Sequence, residues 1–160
     1  MTKELLQQAL SYDPETGAFC WLVNRGRFAK IGVVAGAING RGYRTIKVYG
    51  KQFYAHRLAW LISFGEISEG MEIDHIDGNK SNNKLANLRA VTRTVNQQNK
   101  HKPLSSNTSG FLGVSKDKNG WRSMILVKGK RLNLGTFAKP KDAHHAYIHA
   151  KRQNHEGCTI

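Results

Sequence analysis

Asp74, His75, Asn87 and Asn96 are the residues whose types and spacing could do chemistry. Asp74 and Asn96 offer hard oxygen donors, which suit Mg²⁺, and two protein ligands leave the other positions to water and phosphate. His75, with an ordinary imidazole pKa of about 6.5, can take a proton from an attacking water. A metal ion beside it would offset charge on a phosphate and on its leaving oxygen. Asn87 could hold the His75 loop in place through its amide. The set therefore points to metal-assisted hydrolysis of a phosphodiester. Taken singly, an Asp-His pair is usually a surface turn and an Asn-rich stretch usually a loop, so the order of the whole set carries the reading.

The elements that must position these groups lie between Glu72 and Lys100. A short apolar run with Met71 and Ile73 ends at Asp74-His75. A polar, turn-rich excursion follows from Asp77-Gly78-Asn79 to Asn83. A second apolar run, Asn87-Leu88-Arg89-Ala90-Val91, comes next, and Thr92 can cap a helix that carries Asn96 about one turn inside. A hairpin followed by a helix would let a carboxylate, an imidazole and an amide converge. The residues DHIDGNKSNN, NLR, VT and N resemble the HNH (ββα-metal) nuclease family, in its phage- and intron-encoded homing branch. That resemblance implies His75 as general base, Asp74 and Asn96 as metal ligands, and Asn87 as the middle Asn that braces the loop. Asn96 stands where the family often has His, and Asn99 is the weaker candidate for that place.

Composition narrows the partner. The 160 residues carry a net charge of +14 and a pI near 10.1, which points to a polyanion. No apolar run approaches a spanning helix and no signal peptide opens the chain, so a cytoplasmic protein without membrane contact is expected. Residues 1–55 hold eight Lys/Arg against three acids, 56–100 six against five, and 101–160 eleven against three. Basic flanks around a nearly neutral centre fit flanks that grip phosphates and a centre that holds a cation. Cys20 and Cys158 form no CxxC pair, so no structural zinc is expected.

The N-terminal flank reads as a short helix from Thr2 to Ser11, a turn at Asp13–Gly17, and strands over 18–23, 33–38 and 43–48, the last entering a hairpin. Arg44 and Lys47 are DNA-contact candidates on this basic β-surface, against the plain alternative of a solvated sheet face. His56 to Phe64 reads as a buried helix; Arg57 is a further DNA candidate, and His56 a structural or phosphate-binding residue. Residues 101–109 read as a linker by composition.

Beyond it, strands over 111–115, 121–127 and 131–137 precede a helix from Pro140 to about Asn154. Alternation puts Trp121, Ser123, Ile125, Val127, Leu132 and Leu134 toward that helix. Arg122, Met124, Leu126, Lys128, Arg131 and Asn133 then face outward. The runs GVSKDKNGW (113–121) and LGTF (134–137), with the alanine-spaced helix, resemble the Apetala-two/ERF DNA-binding domain. Arg122, Met124, Arg131 and Asn133 are expected as surface contacts to DNA, with Lys116, Lys118, Lys128 and Lys130 on phosphates. Leu112, Ser115 and Leu126 stand where plant members carry arginines, and Asn133 where they carry Trp, so the fold is implied more firmly than the base code. His144, His145, His149 and His155 lack acidic or Cys companions and read as solvated or DNA-facing rather than metal-binding.

The expected fold is α+β: a ββα-metal nuclease core (56–100) behind a β-rich N-terminal region (1–55). A linker (101–109) then leads to a small three-stranded antiparallel sheet packed on one helix (110–160). The expected activity is that of a site-directed homing-type DNA endonuclease from a phage or mobile element. It would nick double-stranded DNA with one Mg²⁺ or Mn²⁺ as a monomer, a dimer being the route to a double-strand cut. The rival is a non-catalytic, repressor-like DNA-binding protein with a degenerate nuclease core.

Overall fold

A computed structural model describes residues 1–27 and 29–160. By contacts the chain divides into two compact units, Met1–Arg93 and Thr94–Ile160.

The first unit opens with α1 (Lys3–Ala9), whose N-terminus is capped by Thr2: its Oγ1 accepts from Leu5 N at 3.3 Å. Leu6, Ala9 and Leu10 bury as the helical spacing predicts, but Leu5 stays 39% exposed. Strands β1 (Leu10–Tyr12) and β2 (Phe19–Trp21) form a hairpin. Its Asp13 turn is tied by Asp13 Oδ1 accepting from Glu15 N and Oδ2 from Thr16 Oγ1. Strands β3 (Ala37–Ile38), β4 (Arg44–Val48) and β5 (Lys51–Tyr54) make a three-stranded antiparallel sheet. Ile46 and Val48 are buried while Lys47 between them is exposed, the period-2 pattern of a half-buried strand. Tyr49 and Gly50, at φ 49° and 76°, form the tight β4–β5 turn.

Helix α2 (Ala55–Phe64) follows without a break. It leads to β6 (Met71–His75) and β7 (Leu88–Thr92), an antiparallel pair with Asp74 opposite Arg89 and His75 opposite Leu88. One apolar core joins all of these: Leu6, Leu10, Phe19, Ile46, Val48 and Leu58 meet Ile73 and Leu88 of the β6–β7 hairpin. Helix α3 (Arg93–Gln98) comes directly after β7.

The second unit holds a sheet in the order β10-β9-β8: β8 (Val114–Asp117), β9 (Gly120–Val127) and β10 (Lys130–Phe137), with α4 (Pro140–Asn154). Pro140 sits in the first turn of α4, with Asp142 there too and Lys151 and Arg152 in the last, as the helix dipole favours. Ser123, Ile125, Val114 and Ala143 are buried.

Two local expectations change. The first strand starts at Val114, not Phe111. Gly113 adopts φ +72° against the Tyr147 ring, where a Cβ would collide, and residues 107–111 are knotted by the Asn107 and Ser109 side chains. Leu132, opposite Ile125 and on the same face, is 43% exposed. It sits beside the β9–β10 turn on an edge strand, and a bulge between Asn133 and Gly135 breaks the alternation that grouped it with Leu134. No helix among the described residues is long and apolar enough to cross a membrane.

Candidate active site

The β6–β7 hairpin carries Asp74 and His75 at the end of one strand, and a seven-residue polar loop, 77–83, projects just beyond them. Both side chains are buried, Asp74 at 7% and His75 at 4% exposure. A polar group so buried needs partners, and the loop supplies them.

His75 Nε2 lies 3.2 Å from Asn83 Oδ1. Asn83 is itself 2% exposed, and its Nδ2 donates to Ser81 O at 3.2 Å, which turns the amide oxygen toward the ring. Nε2 must therefore carry the hydrogen, and Nδ1 is the nitrogen with the lone pair. Burial lowers the His75 pKa, against the opposing pull of Asn83, Asp74 and Asp77, so the ring is neutral near pH 7.

Asn87 spends its amide on the same loop. Its Oδ1 accepts from Asp77 N at 3.0 Å, while Nδ2 donates to Asp77 Oδ1 at 2.9 Å and to Asn82 O at 2.9 Å. Asp77 also accepts from Asn79 N and Asn82 Nδ2. Partial burial pushes its carboxyl pKa up, but the bonds from Asn82, Asn79 and Asn87 outweigh that and hold it below the usual range.

Asp74 is gripped by the residue opposite it in the ladder: Arg89 Nε and Nη2 both reach Asp74 Oδ2, at 3.0 and 2.9 Å. Arg89 was not legible as a site residue, yet the register alone puts it beside Asp74 once the hairpin is known. On the other side of His75 stands an aromatic wall. His56, 7% exposed, meets His75 edge-on with ring centroids 4.9 Å apart. Tyr43 lies 5.4 Å from His56 and 6.1 Å from His75, and Tyr54 stacks on His56. Burial, and then the neighbouring His75, lowers the His56 pKa to about 3, so it too is neutral.

The N-terminal hairpin buttresses the loop from behind. Tyr12 Oη donates to Asn83 O at 2.8 Å, and Leu85 N donates to Pro14 O at 2.9 Å. Gly17, at φ +74°, lies so close to the Asn83–Lys84 backbone that a Cβ would collide.

The remaining candidates are carried by other elements. Asn96 lies half-buried on α3. Arg44 Nη1 donates to the carbonyls of Ala35 and Gly36, while Lys47 and Arg57 are exposed. On the C-terminal sheet, Lys116, Lys118, Lys128, Lys130, Arg131 and Asn133 are exposed and Met124 is half-buried. Lys116 Nζ sits 4.6 Å above the Trp121 ring. Arg122 is paired to Asp117 at 2.7 Å. Two histidines read as solvated are instead anchored to backbone: His144 Nδ1 to Leu112 O and His155 Nε2 to Leu126 O.

Among the described residues no group of three or more His, Cys, Asp and Glu side chains forms a metal cage. The Asp74 carboxylate is a hard oxygen donor of the kind that suits a divalent cation which keeps waters and takes phosphate oxygens.

Residues 53–98, spanning the whole hairpin and α3, match the model of the HNH endonuclease family. Over 90 residues the chain is 42% identical to Protein 3.8 of Escherichia phage T7, covering 52% of this chain and 74% of that one. The chain belongs to the HNH endonuclease family. Two further members are DNA endonuclease I-HmuI of Bacillus phage SP01, 38% identical over 82 residues, and the uncharacterized HNH endonuclease L560 of Acanthamoeba polyphaga mimivirus, 34% over 88. The matches cover 49% and 55% of this HNH chain but only 47% and 45% of those proteins, about half their length. A solved structure of I-HmuI, described as DNA binding and cleavage by an HNH homing endonuclease, overlaps 56% of this chain and 50% of its own at 31% identity and a TM-score of 0.44.

Proposed function

We propose that the protein is a metal-dependent DNA endonuclease of the homing type that nicks duplex DNA at one phosphodiester. The observation that supports this most is the His75–Asn83 pair. The Asn83 Oδ1 contact favours a hydrogen on Nε2 of a buried, neutral imidazole, the tautomer in which Nδ1 acts as general base.

In this reading Nδ1 of His75 takes the proton of a water aligned with the scissile P–O3′ bond. Asn83 stabilises the imidazolium that results by accepting from Nε2–H. Asn87, through Asp77 and Asn82, keeps the loop from yielding while the charge on the ring changes. Asp74 and Asn96 would hold Mg²⁺ or Mn²⁺, which when bound supplies charge neutralisation at the phosphate and the leaving oxygen. Arg89 orients the Asp74 carboxylate and offsets the cost of burying it.

The C-terminal sheet supports an Apetala-two/ERF-like reading in which its outer face enters the major groove. In that reading Arg131, Asn133, Met124 and Arg122 would contact base edges, and Lys116, Lys118, Lys128 and Lys130 phosphates. Lys47 and Arg57, with Arg44, would extend the phosphate contact on the first unit. One Asp74–His75 set per chain fits nicking by a monomer.

Supercoiled plasmid and phage-type DNA, incubated with Mg²⁺, with EDTA and with His75→Ala, test the proposal. Metal-dependent open circle that is lost in the variant supports it. Direct linearisation would point to paired sites. Band-shift binding with no cutting on any substrate would favour the repressor-like alternative.

A further inference from the structure

Helix α3 has only six residues. Isolated helices shorter than about 12–15 residues are marginal in water, so its order must come from packing. From Thr94 onward it belongs to the second unit, and the far end of that unit grips it at four points. Lys151 of α4, 1% exposed, drives its Nζ to Lys100 O at 2.6 Å, just past the end of α3. Gly157 N donates to Gln98 Oε1 at 3.0 Å. Thr159 Oγ1 donates to Asn99 Oδ1 at 2.5 Å, and His101 Nε2 lies within 3.0 Å of both oxygens. Gly157 itself presses on the α3 backbone, where a Cβ would collide with the Val95 carbonyl.

Asn99 and Gly157 are buried, and a lysine almost wholly removed from water is costly unless its ammonium is held. All four grips fall on α3 or within three residues of its end, and α3 is the helix that carries Asn96.

We propose that Lys151, Gly157 and Thr159 are positioning residues for Asn96, acting through α3, so that the C-terminal tail serves the metal site as well as the DNA-reading sheet. The inference rests on the nuclease reading above, and the test separates the two. Thr159→Val and, independently, Lys151→Met are compared with wild type and with Thr159→Ser in the full chain. Amide hydrogen exchange at residues 95–99 is read in EDTA, the half-saturating Mn²⁺ for nicking with metal, and duplex affinity by band shift in EDTA.

The α3 amides should exchange roughly tenfold faster in Thr159→Val and Lys151→Met, while those of β8–β10 do not change. Half-saturating Mn²⁺ should rise roughly tenfold, as when a supporting shell is lost. DNA affinity should stay within about twofold, and Thr159→Ser should restore wild-type behaviour. Unchanged α3 exchange in both variants overturns the clasp. Faster exchange with unaltered Mn²⁺ dependence overturns its service to the site. A wild-type protein that nicks no substrate with either metal overturns the nuclease reading, and Asn96's role with it, whatever the exchange shows.

Discussion

The loop between β6 and β7 and the outer face of the β8–β10 sheet are both polar, yet they are built in opposite ways. In the loop, side chains spend themselves on one another: Asn87 makes three bonds to Asp77 and Asn82, and Asn83 makes one to His75 and one to Ser81. On the sheet, Lys118, Lys128, Lys130, Arg131 and Asn133 stand exposed, and Arg122 is the residue drawn back into an ion pair. The first arrangement fixes atoms before substrate arrives, which is what a proton transfer needs. The second keeps long cationic chains adjustable, which suits a sugar-phosphate backbone of variable path. On the proposed function, chemistry and recognition are therefore separable by substitution, and the following outcomes are expected, the largest first.

His75→Ala should lower the nicking rate by roughly 10²–10⁴-fold while leaving duplex affinity nearly intact. Equal losses of rate and affinity would erase the contrast. Asn83→Leu keeps the bulk but removes the tautomer-setting oxygen, and should cost roughly 10–100-fold in rate, the scale of a lost orienting partner. It should also cost about 1–3 kcal/mol in denaturant titrations, because His75 Nε2–H is left buried without its acceptor. A rate loss with no effect on stability would make the loop softer than its hydrogen bonds imply.

Acid should strike the loop side first. The His56 pKa falls from 6.5 unfolded to about 3 folded, so between those values the unfolded chain binds more protons. Stability then rises with pH across that window, by up to ~1.4 kcal/mol per unit near its middle, and is lost as pH drops through it. Urea midpoints from pH 7 to 4 for wild type and His56→Phe check this, the variant showing the flatter profile. Because the His75 pKa is also lowered, nicking should persist below the ordinary imidazole range before it fails.

The sheet side should respond weakly and in another currency. Lys128→Asn should flatten the salt dependence of DNA binding by about one unit without changing the rate at saturating DNA. It should also raise stability slightly, since Lys128 sits at φ 48°, a left-handed conformation that Asn tolerates better. An unaltered salt slope would remove this turn from the contact.

Much of this was legible because it is local. The alternation around Ile46 and Val48, the Thr2 cap, Pro140 at the start of α4 and the strand–loop–strand order around Asp74 and His75 all follow from neighbours in sequence. What escaped depends on partners far along the chain or on a break in a regular pattern. Asn83 reads as one more loop amide until the fold buries it against His75. Nothing near Tyr12 announces a bond to a carbonyl 71 residues away. Arg89 gains its meaning only from the β6–β7 register. Leu132 was assigned inward by an alternation that the bulge at Asn133–Gly135 interrupts, and His144 and His155 found carbonyls that no spacing rule foretells.

Gly17 and Tyr12 carry one last consequence. The loop that orients His75 is cast against the Asp13–Gly17 turn, with no room at Gly17 for even a methyl group. The ββα segment is thus not a cassette. Spliced into a new host without residues 12–17, the β6–β7 hairpin would keep Asp74, His75, Asn83 and Asn87 and lose the mould against which their loop is cast. Transfer of this hairpin to another protein should succeed only where the donor brings, or the recipient already has, a matching N-terminal hairpin.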